Sequence, residues 1–247
     1  MKSIPKYLFK YKSISSLEDV ERFLDIIKNN RIYYPTYKQL NDPLEGAGFN
    51  INIPGWAGIG IHRAADVELP PIEELKMEYG ILSLSDCANS PQLWAHYANN
   101  YNGVCLCLKT DGLLSNAKKV LYSDNRDETD AFEDDIMRQA VLDNLYIKQL
   151  DWAYEHEWRD IRKIEDGEQF FSFGSDELAG VIIGKSLLGL VGDMLVKEIP
   201  NGVKVIKAIP GYQTFRINLL PYSYEIEYDG SEPEYIRDLT RYLGEEE

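Results

Sequence analysis

Between residues 130 and 159 the hydrophobic period changes, and that change constrains the fold more than any other feature of this 247-residue chain. Phe132, Ile136, Ala140, Asn144, Lys148 and Trp152 fall four apart, with Met137, Val141 and Leu145 in the adjacent row. This pattern predicts an amphipathic helix from about Asp130 to about Trp152. The helix should end near Tyr154, where the chain enters a strand that places Glu155, Glu157 and Arg159 on one face and His156 and Trp158 on the other. Two carboxylates then meet one guanidinium. Such crowding raises one carboxylate pKa while the arginine keeps the other ionised, which separates acid from base roles in an active site. The bland alternative is a structural Glu-Arg network capping a sheet, because charged residues in strands are usually solvated or paired.

The other elements follow from local signals. Residues Tyr7 to Ser13 read as a strand with Lys10 and Lys12 on one face, followed by a helix that Ser15 and Glu18 open as a capping box, with Leu17, Val20, Phe23, Leu24 and Ile27 as its apolar stripe. Further strands are expected at 31–34, 80–86, 103–108, 118–123, 170–173, 180–184, 203–209 and 214–219. Ser90-Pro91 caps a short helix carrying Trp94, His96 and Tyr97, a second amphipathic helix covers 186–198, and a last short one falls at 234–243. Asn41 to Gly46 is a turn, in which Glu45 could face a pocket. Residues 47–78 are Gly- and Pro-punctuated and read as an irregular excursion. Strands and helices are interspersed without a regular βαβ rhythm or a Gly-rich dinucleotide fingerprint. The expected architecture is therefore a single α+β domain over residues 1–224, with about four to five helices around a mixed sheet, and an acidic segment over 225–247.

Charge narrows the partners. The net charge is -15, most of it in residues 124–135 and 225–247, while residues 1–40 carry a local basic excess. General nucleic-acid binding is disfavoured, whereas a phosphate-bearing small ligand near the N-terminal block, or a protein partner, is allowed. The first residues lack an apolar h-region, and the most apolar stretch, 178–196, is interrupted by Lys185, Asp193 and four glycines. A cytoplasmic protein without membrane association is expected. Cys87, Cys105 and Cys107 are an odd set with no zinc-like spacing, which predicts reduced thiols and no metal site.

Four motifs, LFKYKS, IYYPTYKQLNDPLE, LWAHYANNYNGVCL and KxxxWxYEHEWR, resemble in that order the bacterial family called domain of unknown function 2971, over roughly residues 7–185. FGSDELAGVIIG is similar to that family's closing segment. The order of elements more distantly resembles the ADP-ribosyltransferase superfamily, whose ExE pair Glu155-His156-Glu157 would supply. That resemblance implies NAD as substrate, Glu157 as the negative partner of an oxocarbenium-like ribose, and Glu155 as the residue that orients the acceptor. Lys10 or Lys12 would meet the pyrophosphate, with Tyr34, Asn41, Trp94, His96, Tyr97 and Arg159 completing the cofactor contacts. The N-terminal strand offers lysines where that superfamily has His or Arg, and no Ser-Thr-Ser triplet follows. Three functions result: a NAD-consuming transferase or glycohydrolase acting as a toxin or phage-defence effector; a non-enzymatic binding or regulatory module; and a metal-dependent hydrolase using Asp42, Glu45, His96 and Glu157.

Overall fold

The computed structural model describes residues 3–42, 50–52, 72–124, 128–130, 134–211, 215–223 and 235–244. The first half of the chain contains β1 (Tyr7–Ser13), α1 (Leu17–Asn29), β2 (Arg31–Tyr33), β3 (Asn50–Asn52), α2 (Ile72–Met77), β4 (Tyr79–Ser85), α3 (Pro91–Tyr97), β5 (Gly103–Lys109), β6 (Lys118–Lys119) and β7 (Leu121–Tyr122). The second half contains β8 (Glu128–Asp130), α4 (Asp134–Asn144), β9 (Ile147–Lys148), β10 (Glu157–Lys163), β11 (Phe170–Ser172), β12 (Leu178–Gly184), α5 (Leu190–Val196), β13 (Lys204–Pro210), β14 (Ile217–Pro221) and α6 (Leu239–Gly244). The fold is α+β with a mixed sheet. Backbone proximity groups it into two interleaved units, one of residues 1–32, 84–117 and 171–247, the other of residues 33–83 and 118–170.

In the first unit the strand order is β14-β13-β12-β5-β1. Strands β1 and β5 pair antiparallel along their whole length, from Tyr7 opposite Lys109 to Ser13 opposite Gly103. The pair β12 and β13 is parallel. Every residue of β12 is buried, as are Val104 to Leu108 of β5, which is why both read as continuous apolar runs rather than alternating ones. Helix α1 buries Phe23, Ile26 and Ile27. Its cap is Ser16, one residue later than the expected Ser15, and the Ser16 hydroxyl accepts from the Asp19 amide at 3.2 Å. Leu17, expected on the apolar stripe, is 83% exposed. Ser90 caps α3 as expected, with Pro91 in the first turn.

In the second unit, residues 79–83 of β4 precede β10 and then β6 in the strand order. Tyr37, Leu75, Tyr79, Ile81, Val141 and Leu145 form a buried core there. Two expectations fail in this unit. The long helix is only α4, after which the chain runs through β9 and a 3-10 turn, Leu150–Glu155. The Leu145 carbonyl, which a continuing helix would direct to the amide of residue 149, accepts instead from Arg159 Nη1. The expected strand 118–123 is split: β6 pairs antiparallel with β10, β7 pairs parallel with β9, and the Val120 amide between them donates to the Glu157 carbonyl at 2.9 Å. Residues 72–77, placed in the irregular excursion, are the helix α2. Glu45 and much of the acidic segment 225–247 lie outside the described residues.

Candidate functional site

The turn 150–155 ends on His156, whose φ of 51° caps it in the left-handed region, and β10 begins on the next residue. Glu157 and Arg159 therefore share a strand face by alternation, while Glu155 reaches them from the turn. Lys148, at the end of β9, is where they meet. Its ammonium donates to Glu155 Oε2 at 2.5 Å and to Glu157 Oε2 at 3.1 Å. Arg159 grips Glu157 with two parallel bonds, Nε to Oε1 at 2.8 Å and Nη2 to Oε2 at 3.0 Å. This fork geometry is the strongest form of the carboxylate pair. All four residues are buried, Glu157 to 2% and Arg159 to 0% exposure. The expectation of two carboxylates against one guanidinium is corrected: two cations face two carboxylates, and the cluster is formally neutral.

That balance decides the protonation states. Burial pushes the Glu157 carboxyl upward, but the Arg159 and Lys148 charges and hydrogen bonds from Arg159 and Ser83 outweigh it and bring the carboxyl down to about 2. Burial pulls the Lys148 ammonium downward, and the Glu157 and Glu155 charges overcome that and raise it. Glu157 is thus not the raised carboxyl that crowding alone would give. The cluster has an aromatic border. Trp152 lies with its ring centroid 4.8 Å from Lys148 Nζ, Tyr154 is 6.2 Å from Trp152, and both are half-buried. The Tyr122 hydroxyl oxygen accepts from the Glu157 amide at 2.7 Å.

The other residues singled out from the sequence divide between the units. Tyr34, with Glu155, Glu157 and Arg159, is in the second; it is completely buried and its hydroxyl donates to Asp160 Oδ2 at 2.7 Å. Asn41 is in the same unit and exposed. Lys10, Lys12, Trp94, His96 and Tyr97 are in the first unit. Trp94 is completely buried, donates from Nε1 to the Ala88 carbonyl at 2.9 Å and meets Tyr11 edge-on at 5.3 Å. Three consecutive left-handed residues, Asn99, Asn100 and Tyr101, fold the chain back so that Tyr101 stacks parallel to Trp94. Tyr97 is half-buried, whereas His96 is exposed. Lys10 and Lys12 are both half-buried on β1.

Sequence reasoning missed Lys148 and Asp160. Lys148 opens the KxxxWxYEHEWR motif, but its helical spacing disguised it; Asp160, 1% exposed, also accepts from Arg162 Nε at 2.6 Å. Among the described residues no group of three or more His, Cys, Asp or Glu is placed to hold a metal ion. Nor does any described helix have the length and apolarity to cross a membrane.

A family model described as a protein of unknown function, DUF2971, matches residues 93–159. The match takes in LWAHYANNYNGVCL and KxxxWxYEHEWR and ends on Arg159, so it supports the family resemblance where the ion cluster lies. LFKYKS, IYYPTYKQLNDPLE and FGSDELAGVIIG fall outside it. No curated protein and no solved structure matches the chain.

Proposed function

We propose that this chain is a non-enzymatic binding or regulatory module, in which Lys148, Glu155, Glu157 and Arg159 hold the turn and strand of the second unit in place. The observation that supports this is the state of Glu157: 2% exposed, with both oxygens accepting from Arg159 and one also from Lys148. A carboxylate that stabilises a ribosyl cation must present an oxygen to a charge that exists only in the transition state. The oxygens of Glu157 face resident cations instead. The test is to incubate the protein with NAD and follow nicotinamide release alongside a thermal-shift titration. The expected outcome is no release above the enzyme-free rate; release that Glu157→Gln abolishes would overturn the reading.

One observation favours a second reading, a NAD-consuming transferase or glycohydrolase. Trp152 and Tyr154 are half-buried rings beside Lys148 and Glu155, and amphipathic rings suit a heteroaromatic ligand. Under it NAD is the substrate, and the toxin or phage-defence role follows from its consumption. Nicotinamide release by the wild-type protein separates the two.

A further inference from the structure

The first unit holds both Asn-Gly pairs of the chain, Asn102-Gly103 and Asn201-Gly202. In such a pair the backbone amide after the asparagine can attack the side-chain amide carbon, because glycine brings no Cβ to crowd the approach. The reaction is intramolecular, so its rate depends on how freely the two groups reach attack geometry. The fold treats the two pairs in opposite ways.

Asn102 is held at three points. Its amide donates to the Asn99 carbonyl at 3.1 Å, its carbonyl accepts from the Ile14 amide at 3.0 Å, and its Nδ2 donates to the Ile14 carbonyl at 3.1 Å. Gly103, the first residue of β5, is buried opposite Ser13 of β1, and a methyl group on it would strike the Lys12 carbonyl. Swinging the Asn102 side chain onto the Gly103 amide would break its bond to Ile14 and turn the backbone of a packed strand.

Asn201 and Gly202 are both exposed. They are the central residues of a turn that the Val203 amide closes on the Pro200 carbonyl at 3.2 Å, a bond that engages neither the Asn201 carbonyl nor the Gly202 amide. Gly202 has a φ of 88° while Asn201 stays outside the left-handed region, which is the pattern of a type II turn. Among the described residues, none beyond the chain neighbours comes within 4 Å of where a Cβ on Gly202 would stand. Here the side chain and the amide can meet without displacing any packed group.

We infer that Asn201 is a self-modification site, which converts to isoaspartate and aspartate in the folded protein while Asn102 is protected. The Gly202 nitrogen bonds to the Asn201 side-chain carbon, the C–N bond to the side-chain amide breaks, and ammonia leaves a succinimide ring. Water then opens the ring. Cleavage of the new C–N bond gives aspartate; cleavage of the original peptide bond gives isoaspartate, in which the backbone runs through the side chain. Water is the one further reactant. Either product places a carboxylate at the entry to β13, whose first residue, Lys204, pairs with Gly180 of β12. The inference is independent of the reading given to the ion cluster, which lies in the other unit.

The test holds the folded full-length chain in mildly alkaline buffer beside a sample in urea. Peptide mass spectrometry with electron-transfer fragmentation locates each conversion and tells isoaspartate from aspartate. In buffer Asn201 should gain the mass that replaces an amide by an acid several-fold faster than Asn102, with isoaspartate as the larger product. In urea that advantage should vanish, because neither pair is then held by the fold. Asn201→Gln, at an exposed turn position, should abolish the more acidic species that ion exchange separates from fresh protein. Folded protein in which Asn102 converts as fast as Asn201 would overturn the inference. So would an Asn201 that converts in urea but not in buffer, or that yields aspartate with no isoaspartate.

Discussion

Replacing Glu157 by glutamine keeps the shape of the side chain and removes one of the four charges of the cluster. Lys148 retains Glu155, but Arg159, fully buried, loses the carboxylate charge that faces its Nε and Nη2 and at least one of the two bonds to it. Breaking a buried pair in this way costs about 3–5 kcal/mol, because the uncompensated charge remains in the interior. The depressed carboxyl gives a magnitude of the same order. The carboxyl falls from 4.5 to about 2, which at about 1.4 kcal/mol per pH unit corresponds to about 3 kcal/mol of stabilisation at neutral pH. For a chain of this length each kcal/mol moves the melting temperature by about 2–4 °C, so Glu157→Gln should melt about 10 °C below wild type. Parallel thermal and urea unfolding of the two proteins is the assay. A loss of less than about 0.5 kcal/mol, the size of an ordinary surface substitution, would refute the view that this carboxylate is structural.

The same group fixes a pH dependence. Because its folded pKa is depressed, its contribution is fully present above about 4.5 and is lost as pH falls from there towards about 2; the acid-induced loss of stability should be shallower in Glu157→Gln, measured by urea midpoints across that window. Tyr34→Phe removes the hydroxyl donor to Asp160 while Arg162 remains, so the urea midpoint should fall by an equivalent of about 1–2 kcal/mol. Gly184→Ala places a methyl group against the Tyr101 carbonyl and the Trp94 ring. It should cost on the order of 1–3 kcal/mol and alter the near-ultraviolet circular dichroism of the stacked pair.

The parts of this fold that show in the sequence are those whose cause is local. The apolar runs of β5 and β12 declare buried strands, and Ser90-Pro91 declares the start of α3, because each signal and its structural effect lie within a few residues. The end of α4 does not declare itself. Asn144, Lys148 and Trp152 continue the spacing of four, yet Asn144 and Lys148 are buried as polar groups that require partners, not as members of an apolar stripe. Their partners come from segments that alternation cannot align in advance. For the candidate site, the pairing of Glu157 with Arg159 follows from period two on one strand, and it is present. Lys148 joins only because a parallel contact between β7 and β9 brings its ammonium to β10. Trp94 and Tyr34, taken from the sequence as ligand-facing rings, are completely buried, since an aromatic residue has the same local signal whether it lines a pocket or fills a core.

What, then, does a neutral buried set of four charges contribute that four apolar side chains could not? Net stability is a poor answer, because well-packed apolar replacements of such networks are often as stable or more so. Register is a better one. Strand β10 alternates between Glu157 and Arg159 on one face and Trp158 and Asp160 on the other, and each face has its own partners: Lys148 and the Leu145 carbonyl for the first, Tyr34 for Asp160 on the second. A slip of one residue would drive Trp158 against Lys148 and leave Glu157 facing the Tyr34 hydroxyl, taking Glu157 from Lys148 and the Leu145 carbonyl from Arg159. An apolar set would tolerate that slip at the cost of packing alone. The ion cluster penalises it with lost hydrogen bonds to buried charges, so the turn from 150 to 155 has one strand alignment into which it can deliver Glu155.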